Sequence, residues 1–169
     1  MTSTDGGEFT ALLADLRDEG NELDALLSSL STDAWRMPTQ SRGWTIAHQV
    51  GHLRITEDLM LMALTDREAF AEAASTARTK PQLDEAALQA QDLGVTSLGR
   101  WRGSRHELER VFAASLPRDR MPWVGPSMSV RSAATSRVME IWAHGEDIYQ
   151  AVGVPRGPTP RLRHIAHLA

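Results

Sequence analysis

The chain has 169 residues, 41% of them hydrophobic, with 18 Lys and Arg against 22 Asp and Glu for a net charge of −4. That length supports one packed core without staples, and the composition is that of a globular chain. The acidic balance argues against nucleic acid or an anionic membrane as main partner, and the absence of cysteine excludes disulfides, Cys-type zinc sites and a cysteine nucleophile, so thiol chemistry would need an external thiol.

Residues 1–7 read as a polar tail without the basic start and apolar run of a secretory signal. No stretch approaches the ~18 apolar residues of a spanning helix, so a cytoplasmic location is the expectation. From Phe9, apolar residues fall at Leu12, Leu13, Leu16, Leu23, Leu26, Leu27 and Leu30, which predicts a first helix to about Leu30 with Gly20 as a weak point. Met37 to Gly43 is a loop by composition, bracketed by Trp35 and Trp44, which would pin it to the core.

A second helix is predicted from Thr45, a good N-cap, to about Leu64. Ile46, Val50, Leu53, Met60, Leu61 and Leu64 form one apolar face, and Ile55, Leu59 and Met62 a second, so this helix is expected to be covered on two sides. Thr65-Asp66-Arg67-Glu68 reads as a capping box opening a short helix through about Ala74. After a linker over 75–81, a third long helix is predicted from about Asp84 to Leu116, with Gly94, Gly99 and Gly103 weakening its first half. The basic run Arg100 to Arg105 is expected on its exposed face. Residues 117–126 form a loop. A fourth long helix starts near Ser127 or Ser129 and ends near Val152, with Gly153 and Pro155 as stop signals. Residues 153–160 read as a linker and Arg161 to Ala169 as a stub. No strand alternation or internal repeat is present. The reading is all-α, with four principal helices and short extra ones.

The pair Glu140 and His144 carries the chemistry. Residues four apart stand on one face of a helix, so both side chains can reach one divalent cation. The same spacing alone supports no more than a hydrogen bond. Here the pair lies on the flank of the apolar arc Val138, Ile141, Gly145 and Ile148, and a carboxylate at the edge of a core calls for a partner charge. His48 and His52 repeat the spacing on the second helix. Facing helices offering His, His and Glu are one way bundles build metal sites. Each histidine is equally readable as a partly buried imidazole with a backbone partner, His48 in the first turn being the more solvated. Glu57 falls inside the Ile46–Leu64 stripe, either supporting the site or reaching solvent by its stem, and the second is preferred. His106, His164 and His167 read as surface residues, and the five tryptophans as core and loop anchors. Phosphate loops, a serine nucleophile elbow and a His-Glu-x-x-His signature are absent.

Gly43-Trp44-Thr45-Ile46-Ala47-His48-Gln49-Val50-Gly51-His52-Leu53, followed downstream by Glu140 to Gly153 with its Glu-x-x-x-His-Gly-x-Asp pattern ending at Asp147, resembles the DinB-like superfamily. More narrowly, it is similar to the N-terminal domain of mycothiol-dependent maleylpyruvate isomerase and its actinobacterial relatives, over about residues 8–155. The resemblance implies a four-helix bundle with up-down-down-up connectivity. It implies a divalent metal, most often zinc, held by His52, Glu140 and His144, with a fourth position open to water or to a low-molecular-weight thiol such as mycothiol. His48 lies outside the shared motif. The isomerase branch carries a smaller C-terminal domain, so residues 1–155 are expected to be the metal-binding bundle and 156–169 the linker and stub of a missing or lost domain.

The expected function is a mycothiol-dependent transferase or isomerase acting on a small electrophile, with Glu57 or His48 as candidate general base. A metal-dependent hydrolase and a non-catalytic binding module are the alternatives. The expected partners are a small-molecule substrate and a thiol, and a homodimer packed through helix faces is compatible with the pattern.

Overall fold

Among the described residues four long helices form the frame: α1 (Ser3–Ser28), α2 (Ile46–Thr65), α4 (Val95–Ala114) and α5 (Val130–Val152), with α3 (Arg67–Thr76) and the single turn α6 (Leu162–Ile165) as short additions. The structure, a computed structural model, describes residues 3–76 and 94–166. The predicted start of the third long helix, 84–93, therefore lies outside the described residues. α2 packs against α4 and α5, and α1 against α5 and α4, so every long helix has two neighbours and the core runs down the middle. Leu23, Ile46, Leu53, Met60, Trp101, Phe112, Ile141 and Ile148 are fully buried there. α2 is buried on two sides, as its two apolar faces predict. The chain is an all-α bundle. Among the described residues the β-structure is an isolated bridge between Pro38 and Thr45 and a two-residue antiparallel ladder, β1 (Arg120–Met121) with β2 (Met128–Ser129), too short for any alternation to show in sequence.

Three local expectations are corrected. Thr65 belongs to α2 and its hydroxyl bonds back to Leu61 O, while Asp66 caps α3 by accepting from the Ala69 amide at 3.0 Å. Arg105 is not on an exposed face: it is 2% exposed, on the same side of α4 as the buried Trp101, Leu108 and Phe112. Its guanidinium is held by Asn21 Oδ1 at 3.1 and 3.2 Å and lies within ion-pair reach of Asp24 and Glu109. Gly20 makes this possible, since a Cβ there would stand 2.2 Å from Arg105 Nη1. The glycine that weakens α1 as an isolated helix thus admits a buried arginine from α4. His48, expected to be solvated, is 7% exposed. Its Nδ1 accepts from the Thr45 amide at 2.9 Å, closing a capping box in which histidine takes the place of the usual Glu or Gln.

The segment after α5 folds back onto the bundle. Arg156, its side chain 4% exposed, bonds to Glu19 and Glu22 of α1 and to Glu146 and the Trp142 carbonyl of α5. Arg161 also bonds to Glu19 and Glu22. Glu19 is completely buried, so these two arginines supply the charge it needs. His164, expected at the surface, is half-buried, 2.6 Å from Asp15.

Candidate metal centre

The site is built where α2 and α5 face each other. His52 comes from the middle of α2, and Glu140 and His144 from successive turns of α5. Glu140 Oε2 lies 3.4 Å from His52 Nε2 and 3.3 Å from His144 Nε2, and the three candidate donor atoms fall within 4.8 Å of one another. A tetrahedral zinc with bonds of about 2.0–2.1 Å separates its ligands by about 3.3 Å. Two edges of the triad have that length, so the residues fit a divalent cation of this size. Two imidazoles and one carboxylate form a common donor set for zinc that retains an open position.

Polar brackets between the same two helices lie on either side of the triad. On one side, His144 Nδ1 is hydrogen-bonded to Gln49 Oε1, while Gln49 Nε2 donates to Thr39 Oγ1 at 2.9 Å and to Asp147 Oδ2 at 2.7 Å. Ser41 donates to the same Asp147 oxygen at 2.6 Å. With its amide nitrogen committed to Asp147 and Thr39, Gln49 presents only oxygen to the imidazole. That keeps a proton on His144 Nδ1, so Nε2 is the ring nitrogen facing Glu140: protonated it donates to the carboxylate, and deprotonated it offers its lone pair to a cation. On the other side, Arg137 Nη1 donates to Thr56 Oγ1 at 2.8 Å and Nη2 stands 3.6 Å from Glu140 Oε2. Thr56 in turn donates to the His52 carbonyl at 2.9 Å.

Burial alone would raise the Glu140 carboxyl, but hydrogen bonds from His144 and His52 and the Arg137 charge hold it far below the usual carboxylate range. Glu140 is therefore an anion ready to meet a cation.

A cavity of about 690 Å³ opens onto the triad. The 37–45 loop supplies part of its rim. Trp44 N–H bonds to Ser41 O at 2.9 Å and Thr39 N–H to Trp44 O at 2.8 Å, a tight turn that Gly43 permits with φ +83°. It lays the Trp44 ring parallel to His144 at 6.0 Å and tilted on His52 at 5.3 Å. Trp123, from the loop between β1 and β2, lines the cavity as well and stacks on Phe70. Trp35 is buried as expected, whereas Trp44 and Trp123 line the cavity as well as anchoring their loops.

His52, Glu140 and His144 are thus brought together. The other two candidates are not part of the cavity lining. His48 is occupied at the helix start. Glu57, expected to reach solvent, is 1% exposed inside the bundle, because its position in the apolar stripe faces α4 and α5. Burial pushes its carboxyl up to about 8, against the opposing influences of Arg137, Trp101 and Arg105. Thr56 and Arg137 carry no signal in the sequence, whereas Gln49 and Asp147 stand inside the upstream and downstream motifs without a role that the sequence alone assigns.

Four helices with a His-Glu-His cluster beneath an open cavity define the class: a helical bundle with a candidate cation site between two of its helices. Residues 16–149 match the family described as the mycothiol maleylpyruvate isomerase N-terminal domain, and the chain belongs to that family. It is 44% identical over 167 residues to uncharacterised proteins of Mycobacterium tuberculosis strains CDC 1551 / Oshkosh and ATCC 25618 / H37Rv. The alignment covers 97% of this chain and 64% of each relative, so the chain spans under two thirds of their length. The fold is similar to a crystal structure of mycothiol-dependent maleylpyruvate isomerase, with TM-score 0.66 and 14% identity over 83% of this chain and 60% of that one. It is also similar to the H52A mutant of that isomerase, with TM-score 0.71 and 14% identity over 94% of this chain and 68% of that one. Among the described residues no helix is long and apolar enough to cross a membrane.

Proposed function

We propose that the chain binds one divalent cation, zinc by its donor set, through His52, Glu140 and His144, and uses it to activate the thiol of mycothiol or a similar small thiol in an isomerisation or transfer on a small electrophile. The observation that supports this reading most is the convergence of three donor atoms of suitable spacing beneath an open cavity. A structural zinc site is closed by four protein ligands, whereas three ligands beside a cavity leave a position for an exchangeable group.

When bound, such a cation supplies Lewis acidity, which lowers the pKa of a thiol or water that reaches it. The residues of the chain do the rest. Gln49 and Asp147 hold His144 in the tautomer that keeps Nε2 available. Trp44 covers both imidazoles and offers a flat apolar wall to the body of a substrate. Arg137 and Arg42 place positive charge at the cavity, which favours anionic reactants, the thiolate included. The bundle of residues 1–155 is the unit that carries this chemistry.

Metal analysis of protein purified without added metal, zinc titration of the wild type and His52→Ala, and turnover of maleylpyruvate with and without thiol test the proposal together. The expected results are about one equivalent of bound metal, loss of tight zinc binding in His52→Ala, and turnover only with thiol. Protein without metal, together with unchanged zinc affinity in His52→Ala, overturns it. Thiol-independent hydrolysis would reassign the site to water activation.

A further inference from the structure

Glu57 is buried, ionisable and outside the lining of the candidate cation site. It projects from α2 into the space between α4 and α5. The groups that act on it are Arg137 from α5, Trp101 and Arg105 from α4, and Asp58 from its own helix. Arg105 is already engaged by Asn21, Asp24 and Glu109. Arg137 is engaged differently. Its side chain is 3% exposed, and its nearest carboxylate is the candidate ligand Glu140, at 3.6 Å. Around Glu57, four buried side-chain atoms lack a hydrogen-bond partner: its own Oε2, an acceptor, and the donors Trp101 Nε1, Arg105 Nε and Arg137 Nε. A buried polar atom without a partner is costly. Of the three donors, Arg137 also lines the cavity at the candidate cation site, which singles out the pair Glu57 and Arg137.

Charge decides how the two are related. In the structure, Arg137 (+1) has Glu140 (−1) as its counter-ion, and the interior is neutral if Glu57 keeps its proton. A divalent cation on His52, Glu140 and His144 adds two positive charges and claims the same Glu140 oxygen that faces Arg137. Arg137 cannot leave, because Thr56 holds it one turn from the ligands on both helices. The nearby group that can restore balance is the Glu57 carboxyl.

We infer that Glu57 releases its proton when a divalent cation occupies the His52–Glu140–His144 cluster, and that it then replaces Glu140 as the counter-ion of Arg137. The inference rests on the cation-binding reading of the site. The Glu57 O–H bond breaks, its electron pair stays on the carboxylate and the proton passes to solvent. The interior gains one net positive charge on cation binding instead of two. Arg137 and Glu57 thereby become positioning residues for Glu140, and cation affinity acquires a dependence on pH from an acid outside the ligand set.

Calorimetric zinc titration in two buffers of different ionisation enthalpy, near pH 7, counts the protons released per zinc. The wild type is expected to release about one proton more than Glu57→Gln. Infrared difference spectroscopy on the wild type gives an independent reading. A protonated-carboxyl stretch should be present without zinc and lost on its addition, so the inference is testable even if Glu57→Gln does not fold. Equal proton counts in the two proteins, or a carboxylic-acid band that is missing before zinc or persists after it, overturn the inference and leave the cation site standing. Failure of the wild type to bind zinc removes the site and the inference together.

Discussion

Two charged clusters lie on different sides of α5, close to residue 144, and they are completed differently. In the cluster formed with α1, the carboxylates of Glu19 and Glu22 meet the guanidiniums of Arg156 and Arg161 in direct ion pairs, with Arg156 also reaching Glu146. In the cluster formed with α2, Glu140 faces two imidazoles, which carry no charge when neutral, and Arg137 at 3.6 Å. The first cluster brings its own cations and closes over them. The second gathers a carboxylate and two nitrogen lone pairs beside a cavity. The difference separates a joint from a candidate receptor: the carboxylates matched by arginines hold the chain together, whereas Glu140, with Arg137 and two imidazoles beside it, borders a cavity with room for a further cation.

Breaking the joint should produce the largest effect. Arg156→Ala leaves Glu19 buried beside Arg161 alone, and a buried pair that loses one partner costs about 3–5 kcal/mol. Urea unfolding measures this, and a loss below about 1 kcal/mol would mean that the cluster is not a joint. Glu57→Gln comes next and depends on pH. The folded carboxyl is raised from 4.5 to about 8, so between those values the folded state holds a proton that the unfolded state releases. Stability therefore falls as pH rises across that window. Glu57→Gln should flatten this slope, gaining a few kcal/mol over the wild type at about pH 8 and little near pH 5, as thermal melts at the two pH values would show.

Gln49→Ala sharpens the receptor side, because it removes the partner that orients His144. Zinc affinity should fall about 10–100-fold with the three ligands intact, measured by competition with a chelator. The smallest effect is expected at Gly20. Gly→Ala inside a helix ordinarily gains about 1 kcal/mol, but here the added Cβ meets an arginine held in place by Asn21, so Gly20→Ala should give no gain or a net loss in urea unfolding.

The helices around the site were legible because their apolar periods are long and regular. The Glu140–His144 spacing was legible because it is local to one helix. Gln49, Thr56 and Arg137 were not, since their partners lie 81 to 98 positions away and nothing in a single polar residue announces them. Arg105 illustrates a different failure. The basic run around it suggested solvent, yet it shares a helical face with Trp101, Leu108 and Phe112, and that periodicity was the better guide. His48 was misplaced because its proximity to the helix start suggested hydration, when the same position allows its ring to cap the helix. Glu57 lay in an apolar stripe, and the stripe, not the charge, foretold its burial.

A consequence follows from the contact between Arg156 and Gly145. A Cβ on Gly145 would come within 3.2 Å of the Arg156 guanidinium, which also grips the Trp142 carbonyl, so the tail grasps the turn next to His144 by its backbone. A helical turn moves as a stiff unit, and a tug on the tail would be transmitted to the imidazole. The candidate cation site is thus braced from behind, by residues that lie outside it.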